Sequence, residues 1–110
     1  MWSVYGVYLL LAIVLEVSGT TCMKLSYGFT RIVPTVLMGV LYLMSLSSLT
    51  MALKRIEVGV AYAIWSGLGT ALIAVIGFVG FHDAFTVLKA VSILLIIGGV
   101  VGLNLAGGIH

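Results

Sequence analysis

The stretch Val4-Tyr-Gly-Val-Tyr-Leu-Leu-Leu-Ala-Ile-Val-Leu15, followed by Glu16, decides how this chain is read. Its twelve uncharged residues and their continuation to Met23 are long enough, at about 1.5 Å per residue, to cross about 30 Å of hydrocarbon. The composition of all 110 residues agrees, with 63% hydrophobic and only 7% charged. A soluble domain would carry roughly a quarter charged residues. No Lys or Arg precedes the apolar run and further spans follow it, so it reads as a retained helix rather than a signal peptide.

Working outward, the chain divides into four spans: helix 1 from about Trp2 to Met23, helix 2 from about Ile32 to Leu53, helix 3 from about Val58 to Phe81, and helix 4 from about Phe85 to Ala106. Pro34 falls in the first turn of helix 2, where its missing N–H is harmless. The spans are too long and too uniformly apolar for the alternating strands of a barrel. The expectation is therefore an all-α integral membrane protein, with residues 1–110 forming one four-helix domain. The net charge of +2 is small and scattered, which argues against a nucleic-acid partner. Lone Cys22 cannot form an intrachain disulfide.

The connections are too short to hold a nucleotide-binding domain, and no GxxxxGK[ST] motif occurs, so any active transport must draw on an ion gradient. Lys54 and Arg55 lie on the side of the termini and Lys24, Arg31 and Lys89 on the other, two cations against three. So small a difference specifies orientation weakly and makes insertion in both directions plausible. His82 and Asp83 share a turn but are too few to hold a metal, and no metal site is expected.

The chemistry must lie among the polar residues inside the spans. Glu16 stands about eight residues, or roughly 12 Å, from the Lys24 end of helix 1. A carboxylate at that depth is costly, lines a cavity or meets a cation, and is penalised in its charged form by desolvation. One group that takes either a proton or an organic cation is the minimum an antiporter needs. Ala12, Glu16 and Thr20 share one face at i, i+4 and i+8, with Gly19 beside them, leaving room near the carboxylate. A stripe of small residues also serves close helix packing.

On helix 3, Tyr62, Trp65 and Ser66 make an aromatic face with a hydroxyl, suited to a cation. Tyr42 and Ser45 form a similar pair on helix 2, and Gly67 and Gly69 would permit a bend in helix 3. Helix 4 has no interior charge but carries Ser92, Gly98, Gly99 and Gly102, a pattern of small residues that favours association with another helix. Three helices around a carboxylate and one suited to association make a dimer the smallest plausible unit.

Leu15-Glu-Val17, Gly19-Thr-Thr-Cys-Met-Lys24, Gly28-Phe-Thr-Arg31 and Gly59-Val-Ala-Tyr-Ala-Ile-Trp-Ser-Gly67 together resemble the small multidrug resistance family of bacterial inner-membrane exporters, over essentially the whole chain. The resemblance implies an antiparallel, dual-topology homodimer that exchanges protons for lipophilic cationic drugs, without enzymatic activity or a cofactor. It implies that the two Glu16 side chains form the shared proton and substrate site. Tyr62 would reach the carboxylate across the dimer, Trp65 would stack on the substrate, and Thr20, Tyr42 and Ser45 would complete the pocket. Ser92 and Gly99 would fall on the dimer contact. Ser92 occupies a position that is often Gly in the family, and Leu68 one where Val is familiar.

The family's guanidinium exporters resemble a pattern with Trp at the position of Gly19, Gly at Ile13 and Lys at Asn104, none of which is present. The chain looks like the quaternary-ammonium and multidrug branch. Alternatives left open are a guanidinium or polyamine exporter, a subunit of a heterodimeric pair, and a proton-conducting or structural membrane protein.

Overall fold

A computed structural model describes residues 4–106. It contains four helices, α1 (Val4–Leu25), α2 (Ile32–Ala52), α3 (Val58–Gly80) and α4 (Val87–Leu105), each long and apolar enough to cross a membrane. Hydrocarbon offers no partners for backbone N–H and C=O groups, so uninterrupted helices are the form these runs must take. Trp2 and the tail from Gly107 to His110 lie outside the described residues.

The helix ends follow local chemistry. α4 begins at Val87, not Phe85, because the Thr86 hydroxyl accepts the Lys89 backbone N–H at 3.1 Å and caps the helix. α1 runs to Leu25, two residues beyond expectation, and is then closed by buried Ser26. The Ser26 hydroxyl donates to the Met23 carbonyl at 2.7 Å and accepts the Phe29 N–H at 3.1 Å. Tyr27, Gly28 and Phe29 all have positive φ, so this connection is a tight left-handed reversal in which Gly28 alone is free of strain.

α1 is the centre of the arrangement, packed on α2 along most of its length and on α3 on another face, while α4 touches the rest through α3. The result is a slab of 42 × 35 × 19 Å. Its apolar core is concentrated at one end, where Leu9, Ala12, Ile13 and Val17 of α1 meet Leu49 and Ala52 of α2, Ala61 and Ile64 of α3, and Ile56 from the second connection. From Glu16 to Lys24 the α1–α3 seam holds cavities instead. No residue of α4 is buried, and Ser92, Gly98, Gly99 and Gly102 are exposed.

α1 and α2 are joined by a hydrogen bond as well as by packing. The buried Ser45 hydroxyl donates to the Ala12 carbonyl oxygen at 2.7 Å. Ser45→Ala is expected to destabilise the fold by about 0.6 kcal/mol, the average for interhelical hydrogen bonds in membranes. Ala12→Leu, which overfills the same seam, should cost more, about 1–3 kcal/mol. Reversible unfolding in mixed micelles measures both.

Candidate functional site

Glu16 is half-buried on the face of α1 that looks toward α3. The Thr20 hydroxyl, one turn on, donates to Glu16 Oε1 at 2.8 Å. That hydroxyl also lies 2.6 Å from Tyr42 Oη of α2. A threonine hydroxyl has a single proton. With that proton given to Glu16, Thr20 accepts from Tyr42, and the chain of donation runs Tyr42 to Thr20 to Glu16.

Two glycines make this reach possible. A Cβ on Gly19 would stand 2.7 Å from the Tyr42 ring carbons, so a side chain there would evict the ring from its seat. A Cβ on Gly69 would stand 2.9 Å from Glu16 Oε2, so α3 accommodates the carboxylate only because position 69 is bare. α3 runs as one continuous helix through both glycines expected to permit a bend. Gly67 instead provides a close seat for Ile96 and Val100 of α4, at 3.3 and 3.4 Å from its Cβ position.

Glu16 opens into a cavity of about 250 Å³ lined by Thr20, Trp65, Ser66, Gly69, Thr70 and Ile73. Among the described residues its walls carry no basic side chain. The Ser66 and Thr70 hydroxyls donate to the Tyr62 and Ser66 carbonyls of their own helix, which leaves their oxygen lone pairs facing outward as acceptors. The buried Trp65 Nε1–H has no hydrogen-bond partner among the described residues. A carboxylate, acceptor oxygens, an indole face and apolar walls suit a cation with a greasy surface better than an anion. The cavity is open on one side.

The sequence-predicted residues separate into groups. Glu16, Thr20 and Trp65 converge on the cavity; Tyr42 reaches it through Thr20. Tyr62 is 61% exposed on the outer side, its ring 5.6 Å from that of Trp65, and within one chain it does not line the Glu16 cavity. Ala12 and Ser45 are sealed in the α1–α2 seam, away from the cavity. Their helical spacing was read correctly, but α1 has two covered faces, and periodicity does not say which neighbour covers which. Thr70 and Ile73 were missed; they continue the face of Trp65 and Ser66 by one and two turns and were findable by extending it.

Gly69→Ala is expected to push the Glu16 carboxylate off its seat and weaken binding of tetraphenylphosphonium by roughly tenfold, about 1.4 kcal/mol. Gly67→Ala, which presses on α4 instead, should leave that affinity nearly unchanged. Isothermal titration in detergent separates the two.

Comparison with known proteins identifies the family. The profile of the family described as Small Multidrug Resistance protein matches residues 4–96. The uncharacterized membrane protein YvaE of Bacillus subtilis is 54% identical over 99 residues, covering 90% of this chain and 83% of that one. The nicotine metabolites export pump subunit NepA of Paenarthrobacter nicotinovorans is 42% identical over 100 residues, covering 91% and 86%. The quaternary ammonium compound-resistance protein QacF of Klebsiella aerogenes is 39% identical over 99 residues, covering 90% of each. With four helices able to span a membrane and a family match along nearly its whole length, the chain belongs to the small multidrug resistance family of membrane transporters.

Proposed function

We propose that this chain exports lipophilic and quaternary ammonium cations from bacteria by exchanging them for protons at Glu16. The observation that carries this reading is a carboxylate inside the span, hydrogen-bonded by Thr20 and seated on Gly69, with no cationic side chain among the cavity walls. Such a group is comfortable only when it holds a proton or meets a cation. The two occupants exclude each other because both require the same carboxylate oxygens.

The working unit is an antiparallel homodimer in the inner membrane, assembled from copies inserted in both orientations. Three features support it: two cations on one side against three on the other, an α4 with no buried residue and bare glycines on its surface, and a half-cavity that a second copy would close. In that assembly a second Glu16 faces the first, and the exposed Tyr62 is free to reach the partner's carboxylate.

The exchange follows from these parts. Protons keep the Glu16 carboxyls neutral while the site is empty of drug. A lipophilic cation arriving from the cytoplasm or inner leaflet displaces them, with the Trp65 ring against its apolar surface and the Trp65 N–H available to an acceptor. If the two subunits exchange conformations, the inward-open and outward-open states are equivalent, and direction comes from the proton gradient alone. Desolvation strengthens the carboxylate–cation attraction inside the cavity, so a permanently charged substrate needs no hydrogen bond to compete.

The name of NepA, an export pump subunit, favours a second reading in which this chain pairs with a different paralogue. Co-expression and co-purification distinguish the two: a homodimer active alone in proteoliposomes supports self-pairing, and activity only with a second chain supports the pair.

Glu16→Gln is expected to abolish proton-driven uptake of a tetraalkylammonium into proteoliposomes, because the amide keeps the size and loses the charge. Retained uptake contradicts the assignment. Trp65→Ala should weaken aromatic cations by about 0.5–2 kcal/mol more than tetramethylammonium, measured by competition binding.

A further inference from the structure

The connection between α3 and α4 does not simply project into solvent. His82 adopts a left-handed conformation (φ 57°), and the Asp83 backbone N–H returns to the Gly77 carbonyl at 2.9 Å, folding the chain back over the end of α3. This lays the Asp83 carboxylate on Gly77, where Asp83 Oδ2 occupies the space that any side chain at position 77 would need. A carboxylate at a helix C-terminus stands against the helix dipole, so the placement does not serve helix stability.

Beneath Asp83 lies a second cavity, of about 180 Å³, lined by Thr20, Thr21, Lys24, Ile76, Gly77 and Phe81 among others. It shares Thr20 and Ile73 with the Glu16 cavity, so the two meet end to end along the α1–α3 seam. α1 contributes Glu16, Thr20 and Lys24 to this line at successive turns, and α3 contributes Gly69, Ile73 and Gly77 at the same spacing. Glu16 lies against Gly69 and Asp83 against Gly77, eight residues apart on α3, or about 12 Å by the rise per residue. The packed core closes the other end of the bundle.

Resting on the assignment of Glu16 as the exchange site, we propose that this groove is the proton route between Glu16 and the membrane surface, with Asp83 as the group that takes protons from and gives them to bulk water. The volume holds a few waters, and Thr20, Thr21, Lys24 and Asp83 supply the polar partners they need. At about 180 Å³ against about 250 Å³ it is the narrower of the two cavities, and the organic cation is left to the open side of the Glu16 cavity.

The charged groups facing Asp83 are Lys24 from α1 and Lys89 from α4, with His82 beside it in the chain. Neither lysine forms an ion pair with it among the described residues: Lys24 Nζ lies 6.0 Å from the Phe81 ring centre, and Lys89 Nζ donates to the Ala84 carbonyl at 2.9 Å. The Asp83 carboxylate is thus available to take up a proton from hydronium. On transfer its O–H bond breaks as waters in the groove carry a proton to the Glu16 carboxylate, where a new O–H bond forms, and Asp83 returns to its ionised state. The outward path is the reverse.

The test measures proton-driven uptake of tetraphenylphosphonium into proteoliposomes across pH, alongside its equilibrium binding, in the wild type, Asp83→Asn, Asp83→Glu and Ile76→Phe. Ile76 lines the groove but not the Glu16 cavity, so its enlargement plugs the route without changing charge. Asp83→Asn and Ile76→Phe should lower the uptake rate on the order of tenfold at high pH and less at low pH, below the 10²–10⁴ of a fully committed proton-transfer group because water keeps a direct path. Affinity should stay within about twofold, 0.4 kcal/mol, and Asp83→Glu should restore the rate. Wild-type rates in Asp83→Asn at every pH, equal loss of binding and transport, or no rescue by Asp83→Glu would overturn the proposal. Glu16→Gln in the same assay isolates the underlying assignment: if it still exchanges protons for the cation, that assignment fails whatever Asp83 does.

Discussion

A carboxylate held inside a membrane span without a basic partner among the described residues is the constraint on which the rest of this structure depends. Leaving Glu16 ionised and alone in hydrocarbon is prohibitive, and burying it against a lysine would neutralise it permanently. The fold does neither. Thr20 supplies one hydrogen bond, Tyr42 supports Thr20, Gly69 leaves room for the second oxygen, and the remaining side of the group opens into a cavity. The carboxylate is held in position with one side open.

Bare backbone does much of the positioning. Gly19 receives the Tyr42 ring, Gly69 receives the Glu16 carboxylate and Gly77 receives the Asp83 carboxylate, so each polar side chain lies against a helix at a distance that a methyl group would forbid. In membrane helices, where apolar burial gives little drive for association, such close approach is a main source of attraction. Here the same approach also sets the geometry of the charged groups. The asymmetry along the bundle has a matching logic, with aliphatic packing at the Ile56 end and cavities from Glu16 to Asp83.

The four spans were legible in the sequence because hydrocarbon imposes length and composition directly, and Glu16 was legible because so few polar groups lie inside those spans. The Thr20 contact followed from i, i+4 spacing. What spacing cannot supply is the identity of the facing element. Ala12 and Ser45 shared faces with Glu16 and Tyr42 on their helices yet closed on each other. Gly67 and Gly69 were read as permitting a bend in α3, whereas their consequence here comes from what stands opposite them. Asp83 read only as a turn residue; its place over Gly77 depends on the reversal at His82, which no pattern in the chain announces.

The central claim is that one carboxylate serves two mutually exclusive occupants. The most direct measurement is the number of protons released into weakly buffered solution when tetraphenylphosphonium binds the purified protein, followed across pH. The account predicts release that accompanies binding at pH values where Glu16 is protonated, cation affinity that falls as pH is lowered, and no release from Glu16→Gln. Binding without proton release at any pH, with affinity independent of pH, would contradict it.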